Sequence, residues 1–184
     1  MAFNFSPLQI IALVVAIVGA IIDVRTTKIP NLLTFPATLI GLIFNAIIGG
    51  WPGLANAGLG AFIGAVLTIV FSGGAKKKIG FGDAKMLMAM GAFLGWKDVL
   101  LVFFWFSIVW GLVALYRFLS VFPIKTMLGS FFAKNAGGSW FTAESAAKMQ
   151  KSMQTPIALG PWLALGVLLA ELLGESTLKF MGFQ

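Results

Sequence analysis

Residues 75–87 read AKKKIGFGDAKML: three lysines and a Gly-Phe-Gly turn precede Asp83, and an apolar run follows. The chain as a whole is 59% hydrophobic and only 10% charged, whereas soluble domains carry about 25% charged residues. Apolar runs separated by short polar breaks recur along nearly its whole length. This composition indicates an all-α, polytopic membrane protein, and the three lysines help to decide how often it crosses the bilayer.

Six apolar runs are candidates for spans, since a helix crosses a bilayer with about 20 residues. They are residues 5–22, 32–48, 54–72, 84–96, 99–119 and 156–174. The fourth and fifth could form a single helix, but basic loops stay on the cytoplasmic side of a membrane. Only six spans bring the basic connections after spans one, three and five to one side. We therefore predict one membrane-embedded domain, 1–184, with six transmembrane helices and both termini non-cytoplasmic.

Two segments suggest structural rather than chemical roles. Gly60 and Gly64 form a GxxxG pattern in span three, which allows another helix to approach closely. That helix could belong to the same chain or to a second copy, so the oligomeric state stays open. The cytoplasmic connection 120–155 is predicted not to span, and its portion 125–155 suggests either an interfacial amphipathic piece or a flap.

The residues that the chain lacks exclude several kinds of chemistry. It has no cysteine and no histidine, which excludes disulfides, thiolate metal sites and Ser-His-Asp or Cys-His catalysis. We predict no cofactor and no metal. The net charge of +7 could suggest a nucleic-acid partner. However, the basic residues lie in loops beside spans, where topology and anionic lipid explain them, so membrane lipid is the predicted contact and nucleic acid is not.

Asp23 and Asp83 are the candidate catalytic residues. Asp23 closes span one and Asp83 opens span four, so the predicted topology brings both to the cytoplasmic ends of their helices. Ionisable residues at the edge of the hydrocarbon are costly and usually functional. Two nearby carboxyls tend to share one proton and can act as acid and base in peptide hydrolysis. Taken singly, Asp23 could instead pair with a basic neighbour, and Asp83 could cap a helix.

The residues around these aspartates suggest supporting roles. Gly80 and Gly82 would allow close approach of an extended substrate backbone beside Asp83. Pro30 and Asn31 are expected to end the first loop and start span two. Lys85 could tune the charge of the pair or lie at the lipid headgroups, and the sequence does not decide between these.

Three segments resemble a known family when they are taken together. DVRTTKIPNLLT at 23–34 looks like the first catalytic segment of the type IV prepilin peptidases, which are membrane GxGD aspartic proteases. GFGDAKM at 80–86 is similar to their second segment, GxGDxKL, with Met86 in place of Leu. TPIALGPWLALG at 155–166 resembles their late proline-glycine segment.

The resemblance implies that Asp23 and Asp83 are the catalytic pair. It also implies cleavage of a short basic leader from prepilin-like precursors at the cytoplasmic face of the inner membrane. Many bacterial members carry an N-terminal domain with paired cysteines that also methylates the new N-terminus. Because this chain has no cysteine and enters its first apolar run almost at once, it resembles the short members that lack that domain.

Two other classes of protein share part of the pattern. Presenilin-like proteases also use GxGD, but they have nine spans and a Tyr-Asp motif, whereas the lone Tyr116 precedes an arginine. A small ion-coupled transporter could use Asp23 and Asp83 as relay carboxylates, although relay carboxylates are expected near mid-membrane. A catalytically dead scaffold would be expected to lack an aspartate. The sequence favours the peptidase.

Overall fold

The computed structural model describes residues 6–71, 81–121 and 158–180. Over these ranges the chain is helical and contains no strand. The helices are α1 (Pro7–Thr26), α2 (Asn31–Phe71), α3 (Phe81–Leu94), α4 (Trp96–Val121) and α5 (Gly160–Phe180). The chain forms two compact units, 1–109 with 158–184 and, separately, 110–157. Of the second unit only the last part of α4 is described, and the predicted connection 120–155 lies almost wholly outside the described residues.

Local contacts and backbone angles mark both ends of helix α1. The Ser6 hydroxyl accepts a hydrogen bond from the Gln9 amide at 3.3 Å, and the Gln9 side chain accepts one from the Ser6 amide at 2.7 Å. This reciprocal pair is a capping box. At the other end Thr27 adopts a left-handed conformation, with φ 52°. The buried residues of α1 are small or polar, so other helices can approach it closely: Ala12, Ala16, Gly19, Ala20 and Asp23.

Helix α2 is broken at Gly50, where φ is 60° and ψ is −146°. Glycine adopts such positive φ angles without the steric penalty that other residues meet. The break divides α2 into two arms, 31–49 and 51–71. It falls within 49–53, where the sequence predicts a turn between two spans.

The first arm of α2 packs against α3 through a polar side chain. The Asn45 amide nitrogen lies 3.0 Å from the carbonyl oxygen of Ala92 and 3.1 Å from that of Phe93. Earlier in the same arm, a Cβ placed on Gly41 would lie only 2.9 Å from the Ala92 carbonyl carbon. The backbones of the arm and of α3 therefore approach each other directly at this level.

The second arm packs against α3 with the opposite chain direction. A Cβ on Gly64 would lie 2.5 Å from the Leu87 carbonyl oxygen, and one on Gly60 would meet the carbonyl oxygen of Gly91. As the residue number falls along this arm, that of its partner in α3 rises, so the two are antiparallel. The GxxxG pattern thus serves packing within the chain.

Helix α3 lies against both arms of α2 and against α1. Its side chains supply much of the buried core, which includes Met86, Leu87, Ala89, Met90 and Phe93. Because lipid tails are as apolar as these side chains, the stability of such a core comes largely from close packing between helices.

The break between α3 and α4 differs in position from the predicted one. The sequence predicts it at Lys97 and Asp98, because charged residues commonly end a span. The structure has it at Gly95, where φ is 87°, and both charged residues belong to the first turn of α4. A positive φ ends the helix at Gly95, whereas Lys97 and Asp98 are compatible with helical backbone.

The surface of the helices supports the assignment to the membrane. Many large apolar side chains are exposed, among them Leu32 at 86%, Trp51 at 79% and Ile47 at 75%. Three helical segments are long and apolar enough to cross a bilayer: Pro7–Thr26, Asn31–Val70, which contains the Gly50 break, and Trp96–Ser120. The prediction of an all-α, multi-pass membrane protein is confirmed.

Candidate functional site

The two candidate aspartates come together from different helices. Asp23 lies in the last turn of α1 and is only 5% exposed, although it is ionisable. Asp83 lies in the first turn of α3 and is partly buried. Helices α1 and α3 are in contact: the side chain of Met86, about one turn after Asp83, lies against Gly19, about one turn before Asp23. The end of α1 and the start of α3 therefore bring the two carboxyls to one region of the fold.

A short turn between α1 and α2 brings these helix ends together. The Thr27 amide donates to the Asp23 carbonyl at 2.7 Å, which closes α1. The chain then buries Ile29 against the start of α3, where a Cβ on Gly82 would lie 3.2 Å from the Ile29 Cβ. Gly82 is thus used for close packing between this turn and α3. The predicted Gly80 lies outside the described residues.

Pro30 and Asn31 occupy the start of α2, as the sequence predicts. The Pro30 carbonyl accepts a hydrogen bond from the Leu33 amide at 3.1 Å, and α2 itself begins at Asn31. The Asn31 side chain does not cap its own helix. Its Oδ1 accepts a hydrogen bond from the Lys85 ammonium at 2.7 Å, and the same ammonium lies 5.3 Å from the centre of the Phe35 ring.

Lys85 therefore connects the start of α3 to the start of α2, two residues after Asp83. The sequence leaves open whether Lys85 tunes charge or meets headgroups, and the structure adds a third role as a link between helices. A cation over an aromatic ring contributes roughly 0.5–1 kcal/mol at an exposed site. A hydrogen bond from a charged group adds about 1.5 kcal/mol at most here, because Asn31 is exposed.

We expect the Lys85 link to be measurable as a coupling between two substitutions. Lys85→Met and Asn31→Ala should each lower the free energy of unfolding in nanodiscs, by about 1 kcal/mol. The double variant should lose less than the sum, because each single change already removes the same bond. Thermal unfolding of the four proteins measures this coupling. Strictly additive losses would contradict the link.

A second contact, which the sequence does not predict, fixes Asp23. Its Oδ2 accepts a hydrogen bond from the Gly160 amide, the first residue of α5, at 2.8 Å. Leu159 precedes that helix, and its carbonyl accepts from Trp162 and Leu163. Two sequence signals fall here, the Gly-Pro pair at 160–161, since proline is favoured at the start of a helix, and the family resemblance of 155–166. Neither of them indicates a contact with Asp23.

The described part of the site contains two carboxyls and no larger ligand cluster. Among residues 6–71, 81–121 and 158–180, no three Asp, Glu, His or Cys side chains group as a metal ion requires. The arrangement offers two carboxyls from neighbouring helix ends, one of which accepts a hydrogen bond from a backbone amide. Such a set suits the activation of a water molecule for hydrolysis.

A known protein family matches the part of the chain that carries this site. Residues 10–115, which include both aspartates, match the family described as the type IV leader peptidase family. The chain belongs to this family. The prepilin peptidase resemblance of the sequence is thereby confirmed.

Individual relatives agree with the family match. A prepilin leader peptidase/N-methyltransferase of Escherichia coli K12 is 33% identical over 152 residues, which cover 80% of this chain and 54% of that protein. The protein of the same description from Aeromonas salmonicida strain A449 is 28% identical over 166 residues, 86% of this chain and 46% of that protein. The chain therefore spans about half the length of these curated relatives. No solved structure gives a significant match.

Proposed function

We propose that this chain is an aspartic endopeptidase of the GxGD type that removes the short basic leader from prepilin-like precursors. The observation that carries the proposal is the convergence of Asp23 and Asp83 from α1 and α3 at one end of the helices. Family membership and the relatives' description as prepilin leader peptidases support the substrate class. Methyl transfer is no part of the proposal.

The proposed orientation puts this site at the cytoplasmic face of the inner membrane. It assumes six spans, with each arm of α2 crossing once and both termini outside. The basic connections, including the lysines at 76–78, then face the cytoplasm together with the end of α1 and the start of α3. A basic leader would remain on that side of the membrane for the same reason.

In the proposed mechanism the pair shares one proton. The ionised carboxyl takes a proton from a water molecule, whose oxygen then bonds to the carbonyl carbon of the scissile peptide. The protonated carboxyl donates a hydrogen bond to the carbonyl oxygen as charge develops there. When the carbon–nitrogen bond breaks, the leaving amine takes a proton from the pair. Gly80, Gly82, Pro30, Asn31 and Lys85 are proposed to support the pair or the substrate rather than to react.

The transporter alternative is less favoured by the same geometry. Relay carboxylates of a transporter are expected near the middle of the membrane, in interrupted helices. Asp23 and Asp83 instead lie at helix ends, and the break in α2 is at Gly50, in the turn between the two arms. An acidic pair at one end suits a substrate that approaches from that side.

Processing of a precursor tests the proposal directly. The chain is co-expressed with a type IV prepilin in cells that lack their own leader peptidase, and the pilin is analysed by intact mass. We expect a loss of mass that corresponds to removal of the leader. The control is the same prepilin expressed alone. A panel of prepilins that all keep their leaders in the presence of folded, membrane-inserted protein would contradict the proposal.

A further inference from the structure

Gly160 meets Asp23 at the junction of α5 and α1. Its amide lies 2.8 Å from the Asp23 Oδ2, and Asp23 is 95% buried there, since only 5% of it is exposed. A side chain at this position would have no room. A Cβ on Gly160 would lie 2.9 Å from the Ala20 Cα, 2.9 Å from the Asp23 Cβ and 3.2 Å from the Asp23 Oδ2.

We propose that Gly160 is a positioning residue for the acidic pair. Its amide fixes one oxygen of the Asp23 carboxylate, and its lack of a side chain lets the start of α5 come close enough to do so. The inference rests on the proposed peptidase function, and it adds α5 to a site otherwise built from the ends of α1 and α3.

Two physical effects follow from this contact. A hydrogen bond to Oδ2 restricts rotation of the carboxyl, so that Oδ1 is the oxygen positioned to accept a proton from water. The start of α5 also carries the partial positive charge of a helix N-terminus, which attracts a negatively charged group beside it. Pro161 has no amide hydrogen, which leaves Gly160 as the donor at this point of the first turn. Both effects act on Asp23, so α5 positions one member of the pair that shares the proton.

A purely structural role would also explain the contact, because it ties α5 to α1. The two roles differ in what a substitution changes. If the contact only holds α5 to α1, its loss lowers stability and leaves the catalytic rate of the folded protein unchanged. A misplaced carboxylate lowers kcat of the folded enzyme while substrate binding, and hence KM, changes little.

Two matched glycine substitutions separate these roles. Gly160→Ala and Gly166→Ala both add one methyl group to α5, and at Gly166 the Cβ would lie 2.9 Å from the Phe106 backbone nitrogen, away from Asp23. Each is assayed in nanodiscs against a synthetic prepilin. We expect similar losses of thermal stability. Gly160→Ala should lower kcat about 100-fold with KM within about threefold, because a displacement near 1 Å can cost that much. Gly166→Ala should keep kcat within about threefold.

A backbone ester tests the amide itself. Glycolic acid, incorporated at position 160 during cell-free synthesis, replaces the N–H with oxygen and adds no side chain. We expect kcat to fall about tenfold, in line with loss of one hydrogen bond to a charged group. Wild-type kcat in the ester protein, or equal kcat losses in the two alanine variants, would overturn the inference.

A measurement of stability keeps the inference separate from the proposed function. The ester at position 160 and Asp23→Ala should show coupled losses in thermal unfolding, because both remove the same hydrogen bond. This coupling needs no substrate. Additive losses would overturn the inference whatever the activity. A wild-type chain that shows the coupling but cleaves no prepilin would overturn the proposed function, and with it the catalytic meaning of the contact.

Discussion

Asn in place of either Asp23 or Asp83 should lower the rate of leader cleavage by about 10⁴-fold or more, to the background of the assay. Asn has nearly the same shape as Asp, but it can neither take a proton from water nor donate one as an acid. At position 23 its carbonyl oxygen can still accept the Gly160 amide, so the protein should fold. Single-turnover cleavage with excess enzyme, followed by mass spectrometry, measures the loss at the chemical step.

The controls for this prediction are a third aspartate and the double variant. Asp98→Asn changes a carboxyl in the first turn of α4, and it should keep the rate within about threefold. The double variant Asp23→Asn with Asp83→Asn should be no slower than either single variant, because groups that act as a unit are strongly non-additive. A single variant that retains wild-type cleavage would refute the assignment of Asp23 and Asp83 as the catalytic pair. Slow cleavage by Asp98→Asn would indicate that Asp98 takes part in the reaction.

Most of the fold could be predicted because membrane proteins follow a few strong physical constraints. Apolar composition predicts the helices, and the distribution of lysines predicts which helix ends share a side. The predicted topology puts Asp23 and Asp83 on one side, although they are 60 residues apart, and the contact between α1 and α3 agrees with it. The break at Gly50 also lies in the predicted turn, because glycine and proline commonly interrupt apolar runs.

The contacts that refine the site could not be predicted in this way. The Gly160 amide and the Asp23 carboxylate are separated by 137 residues, and Lys85 and Asn31 by 54. Such pairs depend on the rotation and depth of each helix, which the apolar pattern does not specify because lipid-facing and buried residues are both apolar. The predicted break between α3 and α4 at Lys97 was also misplaced. Charge suggested a boundary there, whereas the backbone angle of Gly95 determines it.

Gly60→Leu should prevent the chain from folding or destabilise it by about 3 kcal/mol or more. A Cβ at this position would meet the Gly91 carbonyl oxygen and would lie 2.6 Å from the carbonyl carbon of Gly95. These neighbours are backbone atoms, which cannot rotate away as a side chain can, so the second arm of α2 must move from α3. Overpacking of this kind commonly costs about 1–3 kcal/mol even where side chains can adjust. Recovery of monodisperse protein and thermal unfolding in nanodiscs measure the effect.

Gly58→Leu provides the matched control. It lies in the same arm, and among the described residues nothing is within 4 Å of a Cβ placed there. A leucine at that position should leave the melting temperature within a few degrees of wild type. The comparison also decides between the two roles of the GxxxG pattern. If Gly60 packed against a second copy, Gly60→Leu would give a folded monomer of nearly normal stability. Because its nearest neighbours belong to α3 and to the α3–α4 junction, we expect loss of the fold, and with it loss of the site that α3 carries.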